Sequence, residues 1–230
     1  MLTTLRRILT LAALAPAALS AQTLGVPMLY HPVMRGFGTA FDAATDDSGV
    51  TSLAVTAVTT IGHLHVDSSS YPLLNVSATA TRVGGRAPGT GLGLELALGS
   101  VYVVGVSRLR WQGTRRLYVP MTVTIAGLVC GNQRKVIELY LLPVWSFERI
   151  EGPSGASWQP SWGTVNAGFV LEYRSGFGFQ VAVGDPGHDD GSDPYRRSVL
   201  TVGVHWSPHS IVANAESQLP AGKMKCGVGL

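Results

Sequence analysis

Three small groups of residues have the types and spacing that chemistry asks for. His63 and His65 stand two apart in a threonine-rich stretch, so on a strand both imidazoles share a face, as two ligands of one zinc ion do. His188, Asp189 and Asp190 stand in one polar stretch and Asp46 and Asp47 in another, imidazole and carboxylate types that hydrolytic sites use. His205 and Ser207 stand two apart, with Glu216 further along the chain. Each set meets a counter-argument in the same chain. No third ligand at a recognisable spacing accompanies the histidines, which favours a polar lining over a metal site. Asp46 and Asp47 lie in the turn cluster Thr45 to Gly49, where aspartate ordinarily holds the turn. Gly84-Gly85 does not stand between a strand and a helix, so it is no phosphate loop. The expectation is therefore no metal, no cofactor and no catalytic residue.

The elements that would carry such groups are strands. From Gly163 to Trp206 the chain reads as two hairpin arms, a long polar loop and a final strand. Val165, Ala167, Phe169, Leu171 and Tyr173 share one face of the first arm, and Phe177, Phe179, Val181 and Val183 share one face of the second, with Arg174 to Gly176 turning between them. Asp185 to Arg196 has no apolar periodicity. Leu200, Val202, Val204 and Trp206 then alternate with Thr201, Gly203 and His205.

The chain of 230 residues begins with Arg6 and Arg7, an apolar run from Ile8 to Leu19, and Ser20-Ala21-Gln22. This predicts a signal peptide over 1–21, cleaved after Ala21. The run is shorter than the roughly 20 residues of a spanning helix, and no later stretch reaches that length uninterrupted. Residues 22–34 form an extended lead-in. The 28 glycines suit closely packed strands, and lysine occurs only at Lys135, Lys223 and Lys225, unlike a soluble surface. The formal charge of +3 is partly the signal peptide's own, and the other arginines are scattered, so no nucleic-acid partner is expected.

In order, strands are predicted over 35–43, 52–66, 74–81, 92–98, 101–111, 117–126, 136–147, 164–173, 177–184 and 200–206. The alternation slips near Gly62, which predicts a bulge. Val83 to Thr90, Gln112 to Arg116, Glu148 to Trp162 and Asp185 to Arg196 are expected as loops, and Gly99-Ser100 as a tight hairpin turn. The count is about ten, with eight or twelve open, and the fold class is all-β: an antiparallel up-and-down transmembrane barrel over 35–206.

Alternation alone does not say which face looks outward. Apolar faces without charge, polar faces of Gly, Thr, Ser and Asn, aromatics near strand ends (Trp111, Trp145, Phe147, Tyr173, Phe177, Trp206) and alternating short and long connections favour lipid outside and a polar lumen. A soluble secreted barrel binding a small apolar ligand is the competing reading.

Hairpins such as GFVLEYRSGFGFQVAV and the strand SVLTVGVHW resemble the small outer-membrane β-barrel proteins of diderm bacteria, the group of OmpA-like and OmpX-like barrels. The resemblance covers Arg35 to Trp206. It implies the bacterial outer membrane as location, outer-membrane lipid and lipopolysaccharide as surroundings, and the barrel-assembly machinery as partner during biogenesis. Such proteins end on an aromatic residue of the last strand, whereas Ser207 to Leu230 follow Trp206 here. Residues 207–230 are a tail or, through Met224, Cys226, Val228 and Leu230, a closing strand. The His188 and Asp46 stretches are similar to the Asp/His pairs of omptin-type proteases, but the loops are much shorter. The His205/Ser207 pair resembles that of lipid A deacylases, with Pro208 where that family has asparagine and His205 near the periplasmic rim.

Candidate lumen residues are Glu95, Arg108, Arg110, Glu138, Tyr140, Glu172, Gln180 and His205, forming either a salt-bridged plug or the lining of a narrow pore. Cys130 and Cys226, the only cysteines, are a candidate disulfide below the barrel; in the alternative both thiols are free and the tail is a membrane strand. The expected function is a non-enzymatic outer-membrane barrel with a structural, adhesive or weakly pore-forming role. An outer-membrane enzyme acting on lipid or peptide is the alternative class.

Overall fold

A computed structural model describes residues 37–66, 69–84, 88–98, 102–123, 126–185, 198–208 and 223–228. The signal peptide over 1–21, the lead-in over 22–34, His188 to Asp190 and Glu216 lie outside the described residues. Twelve strands are present: β1 (Phe37–Asp46), β2 (Thr51–Val66), β3 (Ser69–Val83), β4 (Gly89–Leu98), β5 (Tyr102–Trp111), β6 (Thr114–Val123), β7 (Ala126–Asn132), β8 (Lys135–Gly152), β9 (Gly155–Tyr173), β10 (Phe177–Asp185), β11 (Val199–Trp206) and β12 (Lys225–Val228).

Each wall strand is antiparallel to its neighbours, and β1 pairs with β11 to close the ring. β6 and β7 both pair with β8 and act as one wall strand. Thr122 faces Val144 and Ala126 faces Leu141, so four residues advance against three across the join. On the other side of β8 the register against β9 also shifts, between Val144 and Ser146. The ring is thus a closed ten-strand up-and-down barrel, and no helix occurs among the described residues.

Two stretches expected as loops are strands. Gln112 to Arg116 holds only a two-residue turn, with Gln112 at φ 48° and Gly113 at φ 77°, the left-handed pair that a tight hairpin requires. Glu148 to Trp162 is the far half of the β8–β9 hairpin, paired from Glu148↔Gln159 to Gly152↔Gly155. These stretches look like loops because beyond the apolar belt of the barrel wall the sequence carries no sustained apolar face, which erases the alternation. The bulge expected near Gly62 inserts no residue. The β2–β3 register runs unshifted from Ser52↔Val83 to Val66↔Ser69, with Gly62 at φ 72°. The Asp46 carboxylate holds the β1–β2 turn, accepting from the Ser48 amide (3.0 Å), the Ser48 hydroxyl (2.7 Å) and the Val50 amide (2.8 Å).

The β1–β2, β3–β4, β5–β6, β8–β9 and β10–β11 connections gather at one end, here the loop end; β1 begins and β11 finishes at the other, the termini end.

β12 is not a wall strand. It lies antiparallel on β7 with Cys226 directly opposite Cys130, and the two are joined by a disulfide with their Cα atoms 4.0 Å apart. Among the described residues β5 pairs with β6 but with no residue of β7, which leaves that edge of β7 for β12 to pair. The bond closes 96 residues of chain, worth a few kcal/mol through loss of unfolded-state entropy. Denatured, unreduced protein is expected to contain no free thiol. Reduction is expected to leave the ring folded while making residues 207–230 a protease target. Two thiols per chain by titration would contradict this pairing.

Candidate functional site

The outside of the barrel is apolar and the inside polar. Leu53, Val55, Leu94, Leu96, Val104, Phe179, Val181 and Val202 are exposed, whereas Asp42, Thr56, Ser77, Thr79, Glu95, Glu172, Gln180 and His205 are buried. Tyr173, Phe177 and Trp206 face outward at the termini end, and Phe147 and Trp158 face outward toward the loop end. Trp111, expected in that outer girdle, instead turns inward and packs with Val83, Leu109 and Val199 as an apolar cork at the loop end of the lumen.

Of the candidate lumen residues, Glu95, Glu138, Tyr140, Glu172, Gln180 and His205 are all buried on inward-facing positions. Arg108 and Arg110 are not inside. They share the outward parity of Val104 and Val106 on β5, and both are exposed. The arginine buried in the lumen among the described residues is Arg116, in the stretch Gln112 to Arg116 expected as a loop. Its Nη2 lies 2.6 Å from Glu148 Oε1 and its Nε donates to Glu148 Oε2 at 3.1 Å, a two-point fork, while its guanidinium sits 4.8 Å from the centre of the Tyr118 ring. Asp42 was also missed. Its position opposite the Phe37/Phe41 face of β1 was the available signal.

Glycine decides how the interior groups meet. Gly178 stands between His205 on β11 and Glu172 on β9, and the His205 Nε2 to Glu172 Oε2 distance is 3.6 Å across it. A Cβ at Gly178 would collide with the His205 ring. Gly203 likewise stands between Asp42 and Gln180, and the Gln180 amide donates to Asp42 Oδ1 over the gap. Tyr140 lies over Gly168, its cross-strand neighbour. At these three places a large polar side chain lies across a neighbouring strand that has no side chain there, so the lumen fills without spreading the strands. Thr56 and Thr79 share a hydrogen bond of 2.8 Å, and the Ser77 hydroxyl donates to Glu95 Oε2 at 3.3 Å.

Of the groups first considered for chemistry, Asp46 and Ser207 have structural duties. The Ser207 hydroxyl donates to the Phe37 carbonyl at 3.2 Å and its amide to the Gly176 carbonyl at 2.9 Å, stitching the end of β11 to the rim. His205 points into the lumen, toward Glu172. His63 and His65 lie on β2 opposite Pro72 and Ser70, and among the described residues no group of three His, Cys, Asp or Glu is placed to hold a metal.

No family model matches the chain, and no curated protein matches it. Among solved structures it is similar to one described as KdgM porin, at 12% identity and a TM-score of 0.35, over 75% of this chain and 99% of that one. That likeness transfers no residue and no activity to this chain.

Proposed function

We propose that this chain is an outer-membrane β-barrel whose lumen is a plug, and whose role is structural or adhesive. What carries the reading is the burial of the charged interior. Glu172, Arg116, Gln180 and Asp42 are 0%, 1%, 2% and 3% exposed, whereas side chains lining a conducting channel touch water. The exposed apolar exterior supports insertion into lipid, since contiguous apolar surface on this scale is not left in water. The loop end faces outside in this reading. There the β8–β9 hairpin continues past the end of β10, where Asp185 pairs with Val165, and offers a ribbon for contacts beyond the membrane.

Planar bilayers test the plug. Purified protein is expected to give no discrete conductance steps, and any leak is expected to favour cations, because among the described residues Asp42, Glu138, Glu148 and Glu172 outnumber Arg116 and His205 inside. Stepwise conductance in most insertions would replace the plug with a pore. A lipid A profile that loses acyl chains when the protein is expressed would favour the enzyme class instead.

A further inference from the structure

The outward arginines form one patch. Arg82 on β3, Arg108 and Arg110 on β5, Arg115 on β6 and Arg149 on β8 all face the exterior toward the loop end. In register, Arg82 and Arg110 flank Thr90, and Arg110 stands directly opposite Arg115. Like charges directly opposed on a strand pair are destabilising unless an anion lies between them. Glu151 is the acid in the patch, and it pairs with Arg149 at 3.2 Å. Arg108, Arg115, Arg116 and Arg149 line one outward cleft with Leu117 and Glu151, so four cations face a single carboxylate there. Immediately toward mid-barrel is a second recess of about 500 Å³, floored by Ala57, Ala78 and Ala80, walled by Val55, Leu92 and Leu94, and rimmed by the same Arg108. Arg149 also lies 6.0 Å from the centre of the exposed Trp158 ring.

We propose that this patch is a binding site for lipopolysaccharide: the arginines take the phosphates of its glucosamine anchor, and the alanine-floored groove takes one acyl chain. The proposal rests on the outer-membrane reading above. A cationic cleft joined to an apolar groove on the lipid-facing wall matches a molecule with anionic head and hydrocarbon tail, and Arg108 sits where the two meet. The extent of the charge selects among such lipids. Adjacent strands are about 4.8 Å apart, so cations from β5 to β8 span about 10 Å. A phospholipid with one phosphate leaves part of that span unneutralised, whereas a bisphosphorylated disaccharide covers it.

The test uses protein extracted from outer membranes in mild detergent, with native mass spectrometry as the readout. Wild-type protein is expected to retain one bisphosphorylated lipid A. Retention should fall when the same protein is offered lipid A stripped of its phosphates, and also when it is offered phosphatidylglycerol. The triple variant R108Q/R115Q/R149Q is expected to lose about a hundredfold in lipid A affinity, at about fivefold per arginine, and A80W should weaken binding by filling the groove. Equal retention of phosphatidylglycerol, or indifference to phosphate removal, would overturn the proposal, and both use the unmutated chain. Heat-modifiable migration and recovery in the outer-membrane fraction are read on the same samples. Their loss in wild-type protein would overturn the barrel reading itself, whereas their retention with no lipid A bound overturns only this site.

Discussion

Glu148→Ala is expected to lower barrel stability by about 3 to 5 kcal/mol, the cost of leaving a buried charge without its partner. Arg116 and Glu148 side chains are 0% and 2% exposed, so water does not reach the guanidinium once the carboxylate is gone. The pair is held from two sides, by the fork between them and by the Ser146 hydroxyl, which donates to Glu148 Oε1 at 3.4 Å. Removing both charges is a different experiment. A double variant, Arg116→Met with Glu148→Leu, keeps the volume and discards both desolvation penalties, so it should lie near wild type or above it. Urea unfolding in lipid vesicles, followed by tryptophan emission, measures both. A loss under about 1 kcal/mol for Glu148→Ala would mean that water enters the lumen beside Arg116, and the plug would have to give way to a wet channel.

Leu94→Arg carries the second large effect. Leu94 is 56% exposed, lies between Ala78 and Val106, and belongs to the row of leucines that continues through Leu92 and Leu96. An arginine there meets hydrocarbon, at a cost of ~2 to 4 kcal/mol near the midplane and less toward either interface. Leu94→Ala removes contact with lipid tails without placing a charge there, so it should cost far less. The inward positions behave oppositely. Thr122 is buried, with its hydroxyl donating to the Pro143 carbonyl at 2.6 Å, and Gly178→Ala drives a methyl into His205. If arginine at Leu94 were harmless and Thr122→Leu stabilising, the apolar face would be the core of a soluble barrel.

The period of two was legible wherever a strand has an apolar outer face and a polar inner one. Phe177 to Val183 and Leu92 to Leu98 declare strand, face and turn without any partner, because exterior and lumen impose opposite demands on successive residues. The same rule was enough to place Arg108 and Arg110 outside, since they follow Val104 and Val106 in parity. Counting arginine as polar, and therefore inward, obscured it. Beyond the lipid the rule has nothing to act on. Thr114 to Arg116 and Glu148 to Trp158 carry no sustained apolar face, and their strand character is set by pairing with β5, β8 and β9, which no local window contains. The two cysteines were visible as a candidate pair, but the edge of β7 that receives β12 exists only once β5 has ended short of it.

What the sequence determined by itself was the alternation, hence the all-β barrel, its approximate strand number and the apolar side that faces outward. Only the tertiary structure decided which interior groups meet. Asp42 and Gln180 lie 138 positions apart and Arg116 and Glu148 lie 32 apart. Asp42 meets Gln180 only through the closing β1–β11 pair, with Gly203 between them, and Arg116 meets Glu148 through the register of β6 against β8. Periodicity is a property of one strand against its surroundings and is written locally; register is a property of pairs of strands, and is fixed only when the ring closes.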